Sequence, residues 1–265
     1  MPNRRALLTL AATAALTARP AAADPDAGLD ALLARYVVDH PDGVTRVRYA
    51  VWKGNAADMR ALEAWIAEAE SRRPSAMPRD EAFAFWANLY NALTLKVVLE
   101  RHPVRSIRDI RSTGVPFDPR QFAGPWRTRL VTIEGRRMSL DDIEHETMRP
   151  TFRDPRVHYA VNCASIGCPN IWPRAWRAVT LERELDAAAV AFVNHSRGVT
   201  VLPDGRLRVS SIYSWFREDF GGNEAGVVAH LRRYAAAPLA TRLTERTAIA
   251  GDTYDWALND AVPAG

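Results

Sequence analysis

The stretch from Arg79 to Arg101, RDEAFAFWANLYNALTLKVVLER, constrains the fold more than any other part of the chain. Its apolar residues run round the whole helical circumference instead of keeping to one stripe, and a helix of that kind has to be enclosed. His102-Pro103 ends it, because a proline disfavours helical backbone in the residue before it. The segment is therefore expected to be a buried central helix. Asn88 and Asn91 lie three apart on it, with Glu81 seven before Asn88, so the three can share a direction. Buried amides on such a helix either satisfy neighbouring backbone groups or line a pocket. Trp86 and Tyr90 read as core.

The elements around this helix mix helix and strand without regular alternation. Residues 26 to 38 and 56 to 71 are helix-like, and TRVRYAVW between them alternates with a period of two, as a strand does. RTRLVTIEGRRMSL reads as a strand closing on a Glu-Gly turn. Ser139, with Asp142 three residues later, opens a helix through Met148 as a capping box. RVHYAVN is expected to be a strand, 181 to 194 a helix, and VTVLPDGRLRVSS a hairpin closed at Asp204-Gly205. Helices are expected at 222 to 234 and 237 to 246. This order favours the α+β class: one domain, its long central helix packed on a small, mainly antiparallel sheet.

The first residues read as an export signal: Arg4 and Arg5, an apolar run from Ala6 to Leu16, then Ala21 to Ala23 in an A-x-A arrangement, with cleavage expected before Asp24. The paired arginines fit a twin-arginine signal as well as the general secretory route. Residues 24 to 265 then form a single globular domain with no membrane span, placed in the periplasm or secreted. The formal net charge of +4 includes Arg4, Arg5 and Arg19, so the mature chain carries 32 basic against 31 acidic residues. That balance removes the electrostatic footprint of a nucleic-acid binder. A small molecule, a peptide or an envelope component remains as the class of ligand.

The chemistry concentrates in VHYAVNCASIGCPNIWP, residues 157 to 173, which hold both cysteines of the chain, Cys163 and Cys168. In a strand, His158 and Cys163 point to opposite faces and lie roughly 16 Å apart, so no direct dyad is expected between them. Gly167 and Pro169 place Cys168 at the N-cap of a short helical turn, where a thiol becomes more acidic. An oxidising compartment and an even cysteine count equally suit a Cys163–Cys168 disulfide. Zinc is the third option, with His145, His158, Cys163 and Cys168 as ligands, but their spacing matches no standard knuckle. Neither a metal nor a cofactor is expected. His145 follows Asp141 and Asp142 by four and three residues, which lets a carboxylate orient its ring. Glu218, Asp219 and Asp255 have weaker claims.

The blocks FWANLYNALTLK (85 to 96), SLDDIEHETMRP (139 to 150), HYAVNCASIGCPNI (158 to 171), SSIYSWFREDF (210 to 220) and YDWALN (254 to 259), in that order, resemble the domain of unknown function 547 family. A long core helix followed by antiparallel strands that carry histidine is also similar in architecture to papain-like and transglutaminase-like thiol enzymes. Two functions follow. One is a thiol-dependent hydrolase or acyl-transfer enzyme, with Cys168 or Cys163 as nucleophile, His145 or His158 as base, and Asn88 or Asn91 orienting the base or an oxyanion. The other is a non-catalytic binding or scaffold domain with an oxidised cysteine loop. Asn88, Asn91, His158 and the cysteine loop are expected to share one pocket.

Overall fold

The computed structural model describes residues 24–111, 124–244 and 247–261. The expected signal peptide, residues 1 to 23, lies outside them. The architecture is α+β, dominated by helices. α1 (Ala27–Tyr36) packs on α2 (Tyr49–Gly54) and α3 (Ala56–Ala69), and these two pack on α4 (Arg79–Arg101). α4 carries seventeen buried residues, from Ala82 through Leu99. It is the one helix among the described residues long and apolar enough to cross a membrane, and 94% of that window is buried inside the fold. The chain leaves it in extended backbone at His102, as the following proline requires.

After α4 the sequence doubles back through a hairpin of β3 (Val131–Ile133) and β4 (Arg136–Met138), preceded in the chain by the short pair β1 (Val37–Val38) and β2 (Arg46–Val47). Glu134 and Gly135, both at positive φ, form the β3–β4 turn. Ser139 caps α5 (Leu140–Ile143) in a complete capping box with Asp142. The helix then widens into a π turn at Glu144–Met148 before α6 (Arg149–Phe152). α7 (Val157–Ala160), α8 (Leu181–Val193), α9 (Ile212–Trp215), α10 (Glu224–Tyr234) and α11 (Leu239–Arg242) complete the helices. β5 (Val199–Val201) and β6 (Leu207–Ser210) form the expected hairpin, and β7 (Ile249–Thr253) adds to β6 in parallel.

Several expectations are corrected. Among the described residues the strands form three small sheets in place of one, and the largest includes a parallel pair. TRVRYAVW is a strand only at Arg46–Val47; its aromatic half enters α2, where Tyr49 and Trp52 are fully buried. RVHYAVN opens as the helical turn α7 and becomes extended only from Val161. The helix expected over 237 to 246 shrinks to one turn, and residues 245 and 246 lie outside the described residues.

Candidate functional site

α7 presents His158 to the interior, where its ring is held between two carboxylates. Nε2 lies 2.6 Å from Asp219 Oδ2, and Nδ1 lies 3.6 Å from Glu144 Oε1. Asp219 also receives Arg149 Nε at 2.6 Å, and Phe216 stacks on the imidazole at 4.2 Å between ring centroids. Burial works against a charged ring, yet the bond to Asp219 and the nearby charge of Glu144 outweigh it and raise the His158 pKa. Asp219 falls to about 2, because its bonds to His158 and Arg149 outweigh its own desolvation. Glu144 is also lowered despite its burial, mainly by His158 and with help from His145 and the Tyr90 hydroxyl. Both ring nitrogens thus face carboxylates, Nε2 within hydrogen-bond distance of Asp219 and Nδ1 at a longer reach from Glu144.

Glu144 stands four residues after buried Leu140 and one after buried Ile143, so helical spacing puts its side chain on the enclosed face, while His145, one step further round, stays partly exposed at the start of the π turn. His145 sits 3.8 Å from Asp141 and 3.5 Å from Arg149, at the pocket wall. Asp142 turns the other way, to cap α5 and pair with Arg129.

The cysteine loop is held by amides. Asn91 on α4 donates to Ala160 O at 2.9 Å and accepts from Asn162 N at 2.8 Å, fixing the backbone between His158 and Cys163. Asn162 then clamps the loop from inside, accepting from Ala164 N at 2.8 Å and donating to Pro169 O at 2.6 Å. Ala164 takes a left-handed conformation, φ 59°, a strained position for a residue with a Cβ. Asn88 serves elsewhere: it bonds both backbone groups of Trp176 and the carboxylate of Asp26. Glu81 is exposed and takes no part.

The C-terminal segment lies along this loop. Ile166 N donates to Ala257 O, and Gly167 N to Asp255 O, each at 2.8 Å. A Cβ on Gly167 would stand 2.8 Å from Asp255 N and 2.9 Å from Asp255 O, so the glycine is required by close backbone approach. The pairing delivers Tyr254 to the thiols. Its hydroxyl donates to Cys168 Sγ at 3.2 Å and lies 2.9 Å from Cys163 Sγ and 2.8 Å from Ser165 Oγ.

Both cysteines are free thiols, their sulfurs 2.8 Å apart, so the Cys163–Cys168 disulfide is not formed. No helix follows Cys168, and the N-cap expected there is absent. Burial pushes the Cys168 thiol up, but hydrogen bonds from Cys163, from Tyr254 and from the Cys163 N–H at 3.0 Å bring it down to about 7. Cys163 moves well above the ordinary thiol range, through desolvation and the adjoining Cys168 sulfur. Cys163 is half-buried and Cys168 buried. Neither His145 nor His158 is hydrogen-bonded to a sulfur; the two reach the thiols only as fellow walls of one cavity of about 630 Å³. Asn91 supports that cavity from behind. Among the described residues no group of three or more His, Cys, Asp or Glu side chains is placed to hold a metal ion.

Sequence reasoning missed Glu144, Tyr254 and Asn162 as members of the site and undervalued Asp219. Glu144, Asn162, Asp219 and Tyr254 all fall in the family-like blocks, which are the available signal. Residues 74–193 match the model of a family described as "Protein of unknown function, DUF547". No curated protein and no solved structure matches the chain.

Proposed function

We propose that this chain, which belongs to the DUF547 family through residues 74–193, is a thiol-dependent acyl-transfer or hydrolytic enzyme. The observation that carries the reading is the Cys168 sulfur at a cavity wall, where it accepts from the Cys163 N–H at 3.0 Å and from the Tyr254 hydroxyl at 3.2 Å, contacts that favour its thiolate. Near neutral pH such a thiol is substantially ionised without a histidine to deprotonate it. In the proposed reaction the Cys168 thiolate adds to a carbonyl carbon and the C=O electron pair moves onto oxygen. Collapse of the adduct forms the thioester and expels the leaving group, which takes the proton of Tyr254 or Cys163. Water or a second nucleophile then attacks the thioester, gives its proton back to Tyr254 or Cys163, and returns the Cys168 thiolate as the C–S bond breaks. His158, whose Nε2 is held by Asp219 at 2.6 Å, does not serve as base in this reading. His145 is the nearer candidate for moving a proton, since it is partly exposed at the wall.

A second reading, ligand binding without turnover, is favoured by the burial of Cys168. Alkylation of the reduced protein by iodoacetamide separates the two. The enzyme reading expects labelling of Cys168 alone, rising through a midpoint of about 7. The label disappears in Cys168→Ser, and Tyr254→Phe moves the midpoint up by roughly one unit, since one hydrogen bond to the thiolate is lost. Two cysteines titrating together in the ordinary thiol range, or no labelling at all, would leave only the binding reading. The proposed place of action is outside the cytoplasm, supported by the Arg4-Arg5, apolar-run and Ala21 to Ala23 pattern. N-terminal sequencing of the protein recovered from its host is expected to begin at or near Asp24, and an intact Met1 chain in the cytoplasmic fraction contradicts export.

A further inference from the structure

The cavity around the thiols has an aromatic wall built from three separate stretches of chain. Trp215 stacks on Trp256 with centroids 5.6 Å apart, Trp126 meets Trp256 edge-on at 5.8 Å, and Tyr254 lies 4.6 Å from Trp256. Trp215 is 48% exposed. A tryptophan left half in water on a stack of other aromatics, inside a cavity, is apolar surface offered to a ligand.

The charges around this wall decide which kind. An aromatic wall alone suits a cationic ligand. Here, however, the guanidinium of Arg108 already lies 5.1 Å over the Trp256 ring, and that of Arg149 lies 5.0 Å over Phe216. The acidic groups of the cavity are also committed. Glu144 faces the His158 ring, and Asp141 pairs with Arg127 at 3.4 Å and lies 3.8 Å from His145. Among the described residues no carboxylate pairs with the Arg108 side chain. A guanidinium over an indole ring can still direct N–H groups away from the ring, and these can hold a carboxylate by charge-assisted hydrogen bonds.

We infer that the cavity selects a ring-bearing carboxylate: a flat apolar body stacked against Trp215 and Trp256, with its anionic end on Arg108. The inference rests on the acyl-transfer reading only for the statement that such a molecule is a substrate; binding itself does not depend on it. The acyl group attacked by Cys168 then belongs to an amide, ester or thioester whose other end carries the carboxylate.

The test compares N-benzoylglycine, as its anion, with the neutral N-benzoylglycinamide, in binding to the Cys168→Ser protein by equilibrium dialysis. The two share the ring and differ in the charge. At low salt the anion is expected to bind roughly tenfold tighter or better, the scale of a charge-assisted pair, and the preference shrinks as salt is added. Arg108→Met removes the preference while leaving the amide's binding in place, whereas Trp215→Ala weakens both probes. Equal binding of the two probes, or a preference that survives Arg108→Met, overturns the inference. The two failures are separable: a preference for the anion alongside an unreactive Cys168 sinks the enzyme and keeps the pocket. A reactive Cys168 with no preference sinks the ligand class alone.

Discussion

Replacing His158 by alanine is expected to lower the stability of the protein by about 3–5 kcal/mol, read from urea unfolding near neutral pH. The buried ring stands between Glu144 and Asp219, and its removal leaves two carboxylates facing each other across an apolar space. Asp219 retains Arg149, so the greater loss falls on Glu144, whose remaining partners are the Tyr90 hydroxyl and His145 at 4.0 Å. The pH dependence has a definite sign. The His158 pKa is raised on folding, so its contribution is complete below the unfolded value of 6.5 and declines as pH rises through the folded value. Asp219 is lowered to about 2, so its contribution is complete above the unfolded 3.8 and is lost as pH falls through about 2. Glu144 is lowered from 4.5, so the native cluster is fully effective between that value and the unfolded 6.5 of His158, and the loss of stability on its alkaline side is expected to flatten in His158→Ala. His158→Gln, which keeps a neutral donor, recovers part of the stability and none of the pH dependence. Because no hydrogen bond joins the ring to a sulfur, the alkylation midpoint of Cys168 is expected to stay in place in both variants. A midpoint that moves by more than about one unit, the effect of a directly coupled charge, makes His158 part of the thiol machinery.

What the sequence discloses and what it conceals divide along the range of the interactions involved. The enclosure of α4, the capping box at Ser139 and the turns at Glu134-Gly135 and Asp204-Gly205 are all decided within a few residues, and each is found where local chemistry puts it. RVHYAVN misleads because its β-branched and aromatic residues suit a strand, while fully buried Val157 and nearly buried Tyr159 pack just as well from one helical turn. The absence of a direct His158–Cys163 hydrogen bond therefore does not come from strand alternation. Its cause is that the ring is turned toward Asp219 and Glu144. Those acids illustrate the second limit. Asp219 is 61 positions from His158, and Tyr254 is 91 from Cys163. Pairings of that length depend on how the domain closes, which periodicity does not report. The π turn at Glu144 has no marker in composition at all. The acidity of Cys168 was expected from a helix N-terminus and arises instead from a hydroxyl, a thiol and one backbone N–H.

Asn91→Ala is expected to cost about 2–4 kcal/mol and to slow alkylation of Cys168 at neutral pH, because one side chain satisfies two buried backbone groups, of which Asn162 N has no other partner. Alanine leaves Asn162 N without a partner. Ala160 O keeps only the Trp176 indole at 3.2 Å, so the greater cost falls on the Asn162 side. The consequence for the thiols runs through Asn162. If its backbone shifts, the side chain loses its hold on Ala164 N and Pro169 O, and the strained turn at Ala164 has less to keep it left-handed. The Cys163 N–H then no longer points at Cys168 Sγ, and the thiol returns toward ordinary acidity. Asn91→Asp separates a lost hydrogen bond from a lost shape. A protonated carboxyl offers one donor and one acceptor in the positions of the amide, whereas the carboxylate offers acceptors only and sets a charge against Ala160 O. Asn91→Asp is therefore expected to match the native protein in acid and to lose stability as pH rises through a carboxyl pKa elevated by burial, with the opposite slope to an ordinary surface aspartate. A stability that does not change with pH in Asn91→Asp, together with a native alkylation midpoint in Asn91→Ala, means that the loop is held by its pairing with the C-terminal segment and not by the core helix.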